Sequence, residues 1–145
     1  MQLHAPATNV VDFVSVCGPE WRDDNTESIL IYSVKGLEHQ ELWFCVDSKY
    51  KSFLTDRSDG ALVALLVPAM LVGKDIHVLG TVSSELLFNV NTYVVPLLLS
   101  TIPNVKKISV TAERVAKSAV PDDPAVIAGL SNGVDLSTYQ FRRGG

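Results

Sequence analysis

The chain is poor in the residues that usually carry chemistry. Its 145 residues include two cysteines, Cys17 and Cys45, and three histidines, His4, His39 and His77. The cysteine spacing matches no metal site, and both sit beside strand-like runs where a buried, reduced thiol is expected. So few cysteines point to a cytoplasmic protein without disulfides. No histidine has a neighbour at ligand spacing, so no metal centre is expected. Charge is also scarce, at 19% of residues and −4 overall, which gives no electrostatic reason to expect nucleic acid. The basic residues come as small groups, Lys49 with Lys51, Lys106 with Lys107 and Arg142 with Arg143, and read as solvated edges.

A long uninterrupted apolar run is missing too. Residues 86–99 come nearest, but Asn89, Asn91, Thr92 and Pro96 break them. The run falls short of the roughly 18–20 residues that span a bilayer, so a core helix is expected and no membrane partner. The start, Met-Gln-Leu-His-Ala-Pro, has neither the basic nor the apolar region of a secretory signal.

What the sequence has in quantity is patterned apolar residues, centred on residues 58–112. Two apolar helices, 58–72 and 84–99, are each followed by a short strand, 76–79 and 107–111. The first helix is apolar on every side and is expected to be buried, with Pro68 inside it and Gly73 as a left-handed stop. The second contains Pro96 and closes at Ile102-Pro103. Upstream, residues 9–16, 28–34 and 41–46 read as strands, the first broken at Cys17-Gly-Pro-Glu and the last two forming a hairpin. Between 47 and 54, a short helix or loop would carry Tyr50 and Phe53 inward.

The strand–helix–strand unit over 76–111 predicts a parallel crossover. Ile76, Val78, Ile108 and Val110 then face the helices, with His77 and Leu79 on the opposite face. The fold expected is α+β: a mixed sheet of antiparallel N-terminal strands plus a parallel βαβ unit, with two buried helices mainly on one face. Residues 1–115 form the domain and 116–145 an extension.

In that extension Ala125-Val-Ile-Ala-Gly-Leu runs into Ser131-Asn132-Gly133-Val134-Asp135. Ser131, Gly133 and Asp135 resemble the PP-loop of the ATP pyrophosphatase family, which includes asparagine and GMP synthetases and is usually written Ser-Gly-Gly-x-Asp-Ser. Asn132 stands where the family has glycine, and Leu136 where it has a hydroxyl residue. Upstream, Leu42-Trp-Phe, Lys49-Tyr50, Leu54-Thr55-Asp56, Pro68-Ala-Met70 and Asn89-Val-Asn91 look similar to the segment before the loop in some family members. Such a loop aims backbone amides and a helix N-terminus at a pyrophosphate. Family members continue with a nucleotide-binding α/β domain, so the resemblance implies a truncated N-terminal domain that is non-catalytic as an isolated chain. The alternative it implies is an ATP pyrophosphatase fragment. Ser131, Asn132, Gly133 and Asp135 would then contact ATP phosphate, with magnesium, once a nucleotide-binding partner chain completes the site.

Other residues compete for attention. Asn89 and Thr92, three apart, share a helix face and read as a solvated or interhelical ridge. Asp56 and Asp59, like Asp122 and Asp123, read as caps and turn residues. An aromatic sheet face near His77, Tyr32 or Trp43 offers a small-molecule surface. Trp21, in a charged loop, and Tyr139 and Phe141, in the tail, are the interface candidates. A domain lacking its usual neighbour leaves apolar surface uncovered, so self-association is expected, as a dimer or a tetramer of dimers.

Overall fold

Alternating apolar and polar residues build a five-stranded sheet in the computed structural model, which describes residues 12–117. The strands are β1 (Phe13–Asp23), β2 (Glu27–Lys35), β3 (Glu41–Asp47), β4 (Asp75–Ser83) and β5 (Val110–Ala116). They lie in the order β3-β2-β1-β4-β5. Pairing is antiparallel among β1, β2 and β3 and parallel from β1 through β4 to β5. The helices are α1 (Asp59–Val72), α2 (Ser84–Asn89) and α3 (Val95–Thr101), with a π-helical segment, Val90–Val94, joining the last two. The fold is α+β with a mixed sheet, as the apolar pattern predicts.

One face of the sheet carries the core. Val14, Val16, Leu30, Tyr32, Val34, Ile76, Val78 and Val110 are buried there. Ladder partners such as Val16 with Val34, and Ile76 with Val110, share that face because opposed residues project the same way. Helix α1 covers it with Ala61, Leu62, Leu65, Leu66, Ala69 and Met70, while Val90 and Val95 close it from α2–α3. Gly73 ends α1 at φ 74°, and Ile102, extended before Pro103, ends α3. Pro96 sits just after the π-helical segment. The widened turn lies where a proline ring would press on the carbonyl four residues back.

Several local expectations are corrected. Strand β1 does not stop at Cys17-Gly-Pro-Glu but runs on to Asp23 through a bulge, with the register shifting between Cys17 and Glu20. A bulge gives proline a place where its missing N–H breaks no ladder bond. Strand β5 starts later, at Val110, and follows β4 beyond Gly80, pairing Thr81 with Arg114 and Val82 with Val115. Tyr50 and Phe53 belong to a 3-10 helix, Ser48–Phe53, that buries none of its residues, so both rings face solvent rather than the core. Helix α1 is not buried on every side: Val63 and Leu71 are each at least half exposed. One helix layer covers one sheet face, and nothing among the described residues lies over its outer side.

Asp24 organises the β1–β2 turn. Its Oδ1 accepts from the Thr26 and Glu27 backbone amides, each at 2.7 Å, and from the Thr26 hydroxyl at 2.9 Å. These amides hold the carboxyl below its ordinary value of 3.8. A lowered folded pKa means the turn is supported above the ordinary value and loses that support as pH falls through the folded one. In an NMR acid titration, the Thr26 and Glu27 amide signals should move together with a shared midpoint below pH 3.8. A midpoint at or above 3.8 would contradict this.

Candidate interaction surfaces

The segment leading into α1 is fixed from several sides. The Tyr32 hydroxyl donates to the Arg57 carbonyl at 2.9 Å, and the buried Ser58 hydroxyl donates to Gly18 O at 3.2 Å. The Ser58 amide donates to Thr81 O at 2.9 Å, and Asp59 accepts from the Ser83 amide at 2.8 Å. Asp59 thus ties α1 to the end of β4 instead of capping its own helix, where Ser58 makes no side-chain cap bond. Burial, then the charges of Asp59 and Asp56, push the Tyr32 phenol above 10.0.

This anchoring sets α1 over β1 and β4 and leaves a trough beside β3. On the helix side the trough is lined by Gly60, Ala64 and Pro68, spaced one turn apart and all small or compact. On the strand side lie Leu42 and Phe44. Two cavities, about 450 and 470 Å³, occupy its ends. Arg57 borders the first, and Glu38 and Glu41 border the second. Phe44 meets Tyr32 edge-on with centroids 6.1 Å apart, which fixes the trough floor.

A second surface is the outer side of the helix layer. Phe88, Tyr93 and Leu97 are 59%, 61% and 60% exposed, and the Phe88 and Tyr93 rings meet edge-on at 5.9 Å. Leu97 follows Tyr93 by one turn, and Val63 of α1 approaches α2 across a cavity shared with Leu86. No charged residue occurs from Gly60 to Val72 or from Leu86 to Val105.

The open sheet face is a third. His77 Nδ1 lies 2.8 Å from the Thr111 hydroxyl, and Phe13 meets the imidazole edge-on at 6.3 Å. Trp43 shares this face, three strands from His77 and beside Ile31, while Tyr32 points to the opposite side, into the core. The aromatic cluster expected from His77, Tyr32 and Trp43 is therefore not assembled. Strand alternation places Tyr32 with Leu30 and Val34, away from Trp43. Both cysteines are exposed free thiols rather than buried ones, because their strand positions fall on the uncovered face. Desolvation, then the Glu27 carboxylate, raises the Cys45 thiol above 9.0, so it stays protonated at neutral pH.

Trp21 lies in β1 rather than in a loop, packs partly against the core, and carries the Lys51 amine 5.0 Å from its ring centroid. Ser131, Asn132, Gly133, Asp135, Tyr139 and Phe141 lie outside the described residues, as do Asp122 and Asp123. Asn89 and Thr92 are both exposed, and Asn91 between them makes the structural bonds. Its role was hidden because nothing local marks a helix asparagine that bonds to a strand nineteen residues on. Among the described residues, no group of three or more His, Cys, Asp or Glu is placed to hold a metal ion, and no helix is long and apolar enough to cross a membrane. No family model, curated protein or solved structure matches the chain.

Proposed function

We propose that the chain is a non-catalytic protein-interaction module of the cytoplasm, a free-standing domain like the N-terminal part of a PP-loop ATP pyrophosphatase, and that it works as a homo-oligomer. The outer face of the helix layer, uncharged from Leu86 to Val105, supports this reading. Phe88, Tyr93 and Leu97 stand more than half exposed on it with no charged residue among them. Interface cores are depleted in charge and enriched in aromatics, and such a face on a folded domain favours burial against another protein. Because the patch around Tyr93 and Leu97 is uncharged, it is compatible with its own copy, and a two-fold arrangement sets that patch against itself.

Light scattering coupled to size exclusion tests the assembly. At tens of micromolar the chain should elute at twice its mass or a higher even multiple, and Tyr93→Asp/Leu97→Asp should elute as a folded monomer. A clean monomer of the unaltered chain would sink the proposal. Isothermal calorimetry with ATP and magnesium addresses catalysis: tight binding abolished by Ser131→Ala/Asp135→Ala would replace a non-catalytic module with an ATP-binding fragment.

A further inference from the structure

The trough cavity of about 470 Å³ lies between the second half of α1 and the β2–β3 hairpin. Val34 and Leu65, both buried, form its floor. Leu37 and Leu42 line it from the hairpin, and Ala64 and Pro68 from the helix. A cleft of this size with apolar walls suits a small molecule, since such sites commonly enclose about 300–1,000 Å³.

The polar groups at its rim are chiefly acceptors. Pro68 has no amide to give to the carbonyl four residues back, so Ala64 O keeps its acceptor capacity within the helix. The Val34 amide donates to Gln40 O and the Ser48 amide to Thr26 O, so the even-numbered residues of this ladder exchange bonds. Glu41 therefore turns its carbonyl outward, while alternation sends its side chain to the open sheet face. The Glu38 carboxylate has no lysine or arginine within ion-pair distance among the described residues. His39, the other polar side chain at the rim, can donate or accept. No lysine or arginine lines the cavity. Lys74, at the exit of α1, gives its amine to Gly36 O at 3.0 Å, and Lys35 lies opposite Ser15 on the open face.

Any apolar occupant strips water from the Ala64 carbonyl and the Glu38 carboxylate, and only a cationic donor replaces that water at both. We propose that this cavity binds a small organic amine, its apolar body on Leu37, Leu42 and Pro68 and its ammonium toward Glu38 and the Ala64 carbonyl. An ammonium carries three donors and no acceptor, which matches a rim of acceptors. A carboxylate head would meet like charge and carbonyl oxygens. An alcohol head brings one donor and no charge. The cavity is separate from Phe88, Tyr93 and Leu97, so the proposal goes beyond self-association and does not depend on it.

Three probes that differ mainly in their head group test it. Phenylbutylamine, phenylbutanol and phenylbutyrate are each titrated into the isotope-labelled full chain at low salt and followed by amide NMR. The amine should shift the Leu37, Leu42, Ala64 and Leu65 signals saturably. It should bind about three- to fivefold tighter than the alcohol, the size of preference that an exposed charge gives. The carboxylate should be weaker than both, and added salt should narrow the gap between amine and alcohol. Glu38→Gln, at an exposed loop position, should bring the amine close to the alcohol and leave the alcohol unchanged. Ala64→Leu fills the cavity from an exposed helix position that tolerates leucine, and it should remove binding of all three. No saturable shift, an alcohol as tight as the amine, or unaltered amine binding in either variant would each overturn the proposal. Release of monomer from an oligomer on adding the amine would do so too, by giving the cavity to a second copy. Failure of the homo-oligomer shows in light scattering and leaves these titrations as they are, so the two ideas fail separately.

Discussion

Gly36→Ala is expected to lower stability by about 3–5 kcal/mol, because backbone strain and overpacking fall on one atom and each costs about 1–3 kcal/mol. Gly36 leaves β2 with φ 93°, beyond what side chains readily adopt. A Cβ built there would lie 2.3 Å from Phe13 O and 3.1 Å from Phe13 C, both backbone atoms at the start of β1. Neither can swing aside as a flexible side chain would. The Gly36 carbonyl also accepts from the Lys74 amine at 3.0 Å, so moving the turn disturbs the exit from α1. Gly60→Ala supplies the contrast. Its Cβ would meet only the Phe44 ring, at 3.9 and 4.0 Å, and a helical alanine gains about 0.5–1 kcal/mol over glycine. Urea unfolding followed by circular dichroism should show the midpoint falling steeply in the first variant and rising slightly in the second. Equal midpoints would mean that the β2–β3 turn does not approach β1 as described.

The sequence was informative wherever the signal was periodic. Ile76, Val78, Ile108 and Val110 are the helix-facing set that alternation predicts, and Gly73 is the left-handed stop expected from its place after an apolar run. Burial follows from local spacing at these positions, so spacing suffices. Long-range compensation was not legible. Cys17-Gly-Pro-Glu has the composition of a breaker, yet β1 continues because a bulge absorbs the proline and β2 pairs with Glu20–Asp23 beyond it. The last strand, read at 107–111, likewise runs on to Ala116 because β4 offers partners as far as Ser83.

Exposure was misjudged for a related reason. Val63, Leu71, Phe88, Tyr93 and Leu97 look like core in a string of apolar residues, because a string does not say how many layers the domain has. With a single helix layer on one sheet face, half of such a helix must remain outside. The trough is a consequence of the same geometry. Three small residues one turn apart on α1 mean little until the sheet order puts β3 at the edge beside them.

Asn91 is the clearest case of a polar residue whose work is invisible locally, and its removal should be costly. The amide nitrogen donates to Leu87 O at 3.1 Å and Val110 O at 3.0 Å, and the amide oxygen accepts from Val110 N at 3.0 Å. It thereby pairs with both backbone groups of the first residue of β5, which is only 4% exposed. The π-helical segment carries Asn91 at the register where both bonds form. Asn91→Ala leaves a buried donor and acceptor without partners and should cost about 2–4 kcal/mol, since each stranded group forfeits its desolvation. Asn91→Asp keeps the acceptor for Val110 N but turns a negative oxygen toward two carbonyls, so it should rescue only part of the loss. Asn89→Ala and Thr92→Ala, exposed neighbours on the same turn, should stay within about 0.5 kcal/mol of the parent. Amide exchange localises the effect. In Asn91→Ala, protection should fall first in Val110 and along β5, while β1, β2 and β3 exchange only with global unfolding. Loss spread evenly over all five strands, or a neutral Asn91→Ala, would show that β5 is held by its ladder with β4 alone.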